Sequence, residues 1–254
     1  MTSRSRVALC FFGLVKNYEH VARSVETFIL NPLSKASYDQ DVYIHTYNQS
    51  TTTNPRNGEE NSTVTPSSIL SYFPQAVVKQ DSPDKADNLR PLDYYLQNGD
   101  PWHDNPRVSM RHYVRQLYSL QQVTSLWQQQ ASKYNLVIYL RPDVRFLSPL
   151  PLLSSLKENQ IVLPSFHGFA GYNDRFAYGC PSTMKRYGER ITWLETFFAR
   201  YKAMLHAEPY LKLFLEAHKI EPVLISFPFV RIRADGRPNV ADPRREKNIV
   251  LTFG

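Results

Sequence analysis

"RVALCFFGLVKNYEHVARSVETFIL", residues 6 to 30, decides the fold class. Six consecutive apolar residues, Val7 to Phe12, have the length and composition of a strand buried on both faces. Beyond Gly13 the period changes. Val21, Val25, Phe28 and Ile29 fall at spacings of three and four, which predicts a helix. "DVYIHTYN", residues 41 to 48, then reads as a second strand. Strand, helix and strand in that order form a βαβ unit, so the expected fold is α/β with a mainly parallel central sheet.

The remaining segments extend that pattern. Residues 49 to 68 are rich in Ser, Thr, Asn and Pro and read as a polar loop, of the length that forms lids or mobile segments. Only short elements are expected from Ile69 to Pro106. Residues 110 to 133 lack Pro and Gly and place Val114, Leu117, Leu120, Val123 and Trp127 at helical spacings. "NLVIYLRPDVRF" follows as a third buried strand and "QIVLPSF" as a fourth. "NDRFAYGCP" reads as a loop entering another short element, and residues 183 to 217 as two helical stretches broken at Pro209. "PVLISFPFVRIRADG" reads as a strand pair, with Pro228 suited to an edge or a bulge. No repeat or linker forces a boundary, so residues 1–254 are expected to form a single domain. The final "NIVLTFG" stops in an apolar run, as a piece of a longer polypeptide would.

Composition narrows the function classes. Hydrophobic residues make up 42% and aromatics 13%, which fits a globular chain. The longest apolar runs fall far short of the roughly 20 residues that span a bilayer, and no signal peptide precedes them, so a cytoplasmic location is expected. Two cysteines, Cys10 and Cys180, make neither a disulfide framework nor a zinc site. Two sequons, at Asn48 and Asn61, would matter only in a secretory compartment. Thirty Lys and Arg against 23 Asp and Glu give a net charge of +7 and favour an anionic partner. The basic residues are scattered rather than blocked, which suits a small phosphorylated ligand at least as well as nucleic acid.

In open α/β sheets, ligands collect at the carboxyl ends of the strands. Asp143, just past "LVIYL", can there hold Mg²⁺ or Mn²⁺ and through it a diphosphate. Arg141 and Arg145 share its face if the strand continues, and would neutralise phosphate or keep the carboxylate ionised. An Arg–Asp ion pair capping the strand is the other reading. Gly13, Lys16 and Tyr18 follow the first strand, where a base or phosphate can dock, although a Gly after a strand is commonly just a turn. His45 ends the second strand, either as a hydrogen-bonded structural residue or as a ligand contact. Arg111, Arg115 and Tyr118 lie along one side of the long helix, as a solvated stripe or as a clamp on base and phosphate. In "GYNDRFAYG", Asp174 and Arg175 sit between aromatics and glycines that suit a sugar, while Asp174 could equally anchor its own loop.

Taken in order, "DVYIHTYN", "RQLYSLQQV", "YNLVIYLRPDVRF", "NDRFAYG" and "FVRIRADG" resemble the small GT-A-type glycosyltransferases related to bacterial lipopolysaccharide-core enzymes and to the glycan-building enzymes of large algal DNA viruses. The resemblance spans most of residues 7 to 237. It implies a Rossmann-like α/β/α sandwich and sugar transfer from a nucleotide sugar, with a UDP-sugar as donor, galactose as its sugar and a glycan or glycoprotein as acceptor. It makes Gly13, Lys16, Tyr18, Arg111, Arg115, Arg141 and Asp143 candidate donor contacts, and His45, Arg145 and Arg175 candidate substrate contacts. Asp174 becomes the catalytic or acceptor-binding carboxylate. Such enzymes carry an Asp-X-Asp motif where this chain reads "LRPDV". Arg141 takes the first acidic position, so either Asp143 alone holds Mn²⁺ (or Mg²⁺) or the arginines replace part of the metal's charge. Against this stand a nucleic-acid-binding module using the positive charge and the aromatics, a nucleotidyltransferase and a non-catalytic sugar-binding domain.

Overall fold

The structure, a computed structural model, describes residues 5–104 and 106–239. In chain order it contains β1 (Ser5–Phe12), α1 (Glu19–Val25), α2 (Asn31–Lys35), β2 (Tyr38–Tyr47), β3 (Thr51–Asn54), β4 (Glu59–Thr63) and β5 (Val77–Asp81). There follow α3 (Pro83–Asp87), α4 (Leu92–Tyr95), α5 (Val108–Trp127), β6 (Leu136–Leu140), β7 (Val144–Phe146), β8 (Gln160–Pro164) and β9 (Phe176–Gly179). The described chain closes with α6 (Pro181–Gly188), α7 (Leu194–Tyr201), α8 (Ala207–Ala217), β10 (Glu221–Ile225) and β11 (Phe229–Arg231). The terminal run "NIVLTFG" lies outside the described residues.

Seven strands form one sheet in the order β10-β8-β9-β6-β1-β2-β5. Every pairing in it is parallel except those of β9, which runs antiparallel to both β6 and β8. The expected α/β fold with a mainly parallel sheet is therefore what forms. Successive side chains of a strand point to opposite faces, so a strand with helices on both sides must be apolar throughout. Val7, Leu9 and Phe11 of β1 pack with Val21, Val25, Ile29 and Leu33 of the helical crossover. Ala8, Cys10 and Phe12 pack on the other face with Leu120, Val123 and Trp127 of α5. β6 repeats the division, sending Ile138 and Leu140 one way and Val137 and Tyr139 the other. Each such side chain contributes roughly 1.5–3 kcal/mol by leaving water, which is why these two strands form the sheet's centre. Tyr139 is tolerated there because Trp127 Nε1 donates to its hydroxyl at 2.9 Å and Thr124 pairs with it at 2.6 Å.

The reversal of β9 positions the site. Because β9 is antiparallel to β6, its start lies at the end of β6, with Leu140 opposite Phe176. Arg141 N donates to Arg175 O at 3.3 Å just beyond, so the segments after β6 and before β9 meet where β1 and β2 also end. A second, two-stranded sheet pairs β7 with β11 and sets Val144 opposite Arg231.

Four details depart from the sequence reading. Residues 49–68, expected as a polar loop, contain the antiparallel hairpin β3–β4, which Glu59 ties to the body of the molecule. Residues 181–217 form three helices instead of two stretches, and Pro209 lies in the first turn of α8, where its missing N–H costs nothing. The two strands of "PVLISFPFVRIR" do not pair with each other; β10 joins the main sheet and β11 joins β7. The strand after Leu140 breaks at Arg141–Pro142–Asp143, because proline supplies no N–H to a ladder.

Candidate functional site

A cavity of about 600 Å³ opens at the carboxyl ends of β1, β2 and β6. Among the described residues, seven Lys and Arg side chains line it against four carboxylates, Glu59, Asp143, Asp174 and Glu208. The floor begins at Gly13, whose φ of +101° is a conformation that only glycine adopts freely. That turn is held from below: Gly13 N donates to Ser119 Oγ at 2.6 Å, and Val15 N to Thr46 Oγ1 at 2.9 Å. Lys16 then reaches across to the hairpin and donates to both oxygens of Glu59, at 2.7 and 2.9 Å. Glu59, 3% exposed, also accepts from Ala234 N at 3.0 Å and faces Arg233 at 3.9 Å.

A continuous polar chain crosses the cavity. Arg141 grips Asp143 with two hydrogen bonds, Nε to Oδ1 at 2.8 Å and Nη2 to Oδ2 at 2.6 Å. Its Nη1 donates to Gln116 Oε1 at 2.8 Å, and Gln116 Nε2 donates in turn to Asp174 Oδ2 at 2.5 Å. Asp174 Oδ1 lies 3.8 Å from Arg175 Nη1, while Arg175 Nη2 donates to Glu208 Oε1 at 3.0 Å. His206 Nδ1 completes the chain at 3.2 Å from Glu208 Oε2. Burial alone would raise the Asp143 carboxyl; Arg141, Lys16 and Arg231 outweigh it and hold Asp143 well below the usual carboxylate range. Glu208 is likewise lowered against its burial, by His206 and Arg175. Arg175 is 9% exposed, and its Nε and Nη1 make no hydrogen bond among the described residues.

The structure thus brings Gly13, Lys16, Arg115, Arg141, Asp143, Asp174 and Arg175 to one cavity. Arg115 is there with its guanidinium committed to Asp87, at 2.8 and 2.6 Å. The other expected site residues lie elsewhere. His45 is fully buried two residues short of the end of β2, between Ser119 at 2.7 Å and Asp81 at 3.2 Å, and is not a ligand contact. Ser119, His45 and Asp81 imitate a hydrolytic triad, but Ser119 and His45 have no exposure, and the Ser119 hydroxyl serves the Gly13 turn. Tyr18 turns into the core against Phe11 and Phe73. Arg145 points away from the cavity, because the flanking Val144 and Phe146 face the core, and it donates to His20 O at 3.0 Å. Arg111 sits 3.8 Å from Asp87, outside the lining, and Tyr118 donates to Asp81 at 2.9 Å.

Among the lining residues not singled out from the sequence are Gln116, Glu59, Glu208, Arg231 and Arg233. A signal existed for the two arginines. In "FVRIRADG" they are two apart, the strand spacing that puts side chains on one face. For Glu59 and Glu208 there is none, since each reaches the cavity only through tertiary packing.

The donor set does not match a divalent ion. Mg²⁺ and Mn²⁺ favour near-octahedral oxygen coordination, whereas both Asp143 oxygens are engaged by Arg141. Among the described residues no group of three or more His, Cys, Asp or Glu side chains is placed to hold a metal.

No protein-family model matches the chain, and no curated protein matches it. Among solved structures it is similar to mouse xyloside xylosyltransferase 1 in its apo form, with a TM-score of 0.44 and 10% identity over 87% of this chain and 84% of that one.

Proposed function

We propose that the protein is a glycosyltransferase that moves a sugar from a nucleotide-sugar donor, a UDP-sugar, to a hydroxyl of a glycan acceptor. The observation that carries this reading is the arrangement of charge in the cavity. Cations gather around Asp143 and Lys16, while a second carboxylate, Asp174, sits across Gln116 beside the incompletely bonded Arg175. The first cluster suits a diphosphate and the second a sugar hydroxyl. In the reaction the acceptor oxygen bonds to the anomeric carbon. The bond from that carbon to the diphosphate oxygen breaks, and its electron pair leaves with the nucleoside diphosphate. In inversion the acceptor proton passes to Asp174; in retention it passes to the departing phosphate, with Asp174 orienting the sugar. The cations stabilise the negative charge that develops on the leaving group, the largest electrostatic demand of the step.

The family resemblance of the five ordered segments supports the same reading, with galactose as the donor sugar. A nucleic-acid-binding module would need a continuous basic track, and four inward carboxylates in one concave site oppose a polyanion. Among the described residues no helix is long and apolar enough to cross a membrane.

The test is calorimetric titration with UDP-glucose, UDP-galactose, UDP-xylose and a GDP-sugar beside a control oligonucleotide in low salt. Saturable binding of one nucleotide sugar, followed by UDP release when an acceptor glycan is added, is the expected result. Salt-sensitive binding of the oligonucleotide with no response to any nucleotide sugar would replace this reading with the nucleic-acid one.

A further inference from the structure

The end of the cavity around Asp174 carries a further step, which rests on the glycosyltransferase reading above. Trp102, half-buried in the stretch between α4 and α5, lines the cavity together with His206, the residue just before α8. Their rings stack at 5.3 Å with 29° between the planes, and Tyr113 of α5 meets the indole edge-on at 5.8 Å. The indole is thus held on two sides. His206 Nδ1 faces Glu208 Oε2 at 3.2 Å, so in the tautomer that bonds the carboxylate the proton sits on Nδ1 and Nε2 is an acceptor. Trp102 bonds only through its backbone N–H, to Asp100 Oδ1 at 3.0 Å, which leaves its indole N–H without an acceptor among the described residues. Two acceptors there are likewise without a hydrogen bond among the described residues: His206 Nε2, and Asp174 Oδ1, which lies 3.8 Å from Arg175 Nη1.

A donor and two acceptors beside an aromatic ring match a neutral pyranose, whose hydroxyls both donate and accept and whose C–H groups are apolar. An acidic sugar would set its own carboxylate against Asp174. We infer that Trp102 and His206 form the acceptor subsite, which takes a neutral pyranose with one hydroxyl on His206 Nε2, another on Asp174 Oδ1 and the ring's C–H groups on the indole. The parts come from three separate stretches, before α5, before β9 and before α8, and each is held without a sugar present. Tyr113 supports Trp102, Glu208 orients His206, and Gln116 donates to the other oxygen of Asp174 at 2.5 Å. This prior arrangement lowers the ordering cost of binding.

The probes are the methyl glycosides of β-galactose, β-glucose, β-xylose and β-glucuronic acid, added with and without UDP to protein labelled with 5-fluorotryptophan. The chain's 3 tryptophans give separate fluorine NMR signals, and Trp102→Phe identifies the relevant one. In the presence of UDP at least one neutral glycoside is expected to move the Trp102 signal saturably, while the signals of Trp127, in the core, and Trp193 stay in place and the glucuronide has no effect. His206→Phe keeps an aromatic ring against Trp102 but lacks Nε2. It is expected to weaken the neutral glycoside by about tenfold and to leave the dissociation constant of UDP, measured by calorimetry, within about twofold. Binding of UDP with no movement of the Trp102 signal by any neutral glycoside at about 100 mM would overturn the acceptor subsite and leave the donor reading standing. An equal response to the glucuronide, or an undiminished response in His206→Phe, would overturn it as well. Glycoside binding by a protein that binds neither UDP nor any nucleotide sugar would overturn the transferase reading instead, and the acceptor role with it, leaving a sugar-binding domain.

Discussion

Gln116 joins the two halves of the candidate site, and its amide is the reason it can. Oε1 accepts from Arg141 and Nε2 donates to Asp174, a donor and an acceptor on one planar group. Leucine at this position would fill similar volume but leave both partners short of a bond. Gln116→Leu is expected to lower the rate of UDP release by about 10- to 100-fold, with a melting temperature within a few degrees of the parent. Glutamate at the same place would set a carboxylate against Asp174 where the amide now sits 2.5 Å away. One of the two acids would then hold its proton to higher pH, so the acidic limb of the pH–rate profile of Gln116→Glu should move up by about one unit. An unmoved limb would show that Asp174 does not limit the rate. Gly171 matters for a steric reason: a Cβ there would overlap the backbone carbonyl of Glu208, which cannot step aside. Gly171→Ala is expected to cost about 1–3 kcal/mol in urea unfolding, by pushing the 167–171 loop off α8.

The hairpin β3–β4 shows why some elements cannot be read from sequence. The central strands were legible because burial on both faces forces continuous apolar runs, and α5 because one face must meet the sheet. Neither pressure acts on β3 and β4, whose residues are polar and mostly exposed. The hairpin is fixed by contacts remote in sequence: Glu59 to Lys16, 43 residues away, and to Ala234, 175 residues away. The same reasoning explains the misplaced site residues. Spacing locates His45 near a strand end, but only the extent of β2 to Tyr47 shows that its ring lies under α5. Asp143 and Asp174 could each be singled out at a strand boundary, but that they line one cavity follows from the antiparallel β9. If Glu59 anchors the hairpin, Glu59→Gln should cost about 3 kcal/mol, because Lys16 is left nearly buried without the carboxylate that it bonds at 2.7 Å. Lys16→Met in the same chain should recover part of that loss, and a double-mutant cycle measures the coupling. Additive losses would mean that the Glu59–Ala234 hydrogen bond, not the ion pair, holds the hairpin.

Across the whole molecule, the folding energy comes from the two apolar layers, and its pH dependence comes from polar groups enclosed between them and the cavity. Burial lowers His45 to about 4 even though Asp81 opposes the shift. Its neutral ring satisfies the site in one tautomer, Nε2–H donating to Asp81 and Nδ1 accepting from Ser119. His112 is lowered to about 4 as well, by burial and by the cavity cations Arg115, Lys16 and Arg141. An unfolded histidine takes up its proton near pH 6.5, so between about 6.5 and 4 the unfolded chain binds more protons than the folded one. Stability therefore rises with pH through that window and levels off above it. At pH 5 the two histidines together should cost about 4 kcal/mol relative to pH 7.5, read as a shift in urea midpoint at constant slope. Asp81, lowered to about 2 by Lys85, Tyr118 and His45 in spite of burial, adds its own loss only below about pH 4. His112→Gln should remove about half of the loss between pH 7.5 and 5, because the two histidines lie in separate surroundings and titrate independently. It should also leave the low-pH limb from Asp81 in place. A pH-independent midpoint down to 5 would mean that both rings gain protons without unfolding the contacts around them, and that the cavity admits far more water than its packing indicates.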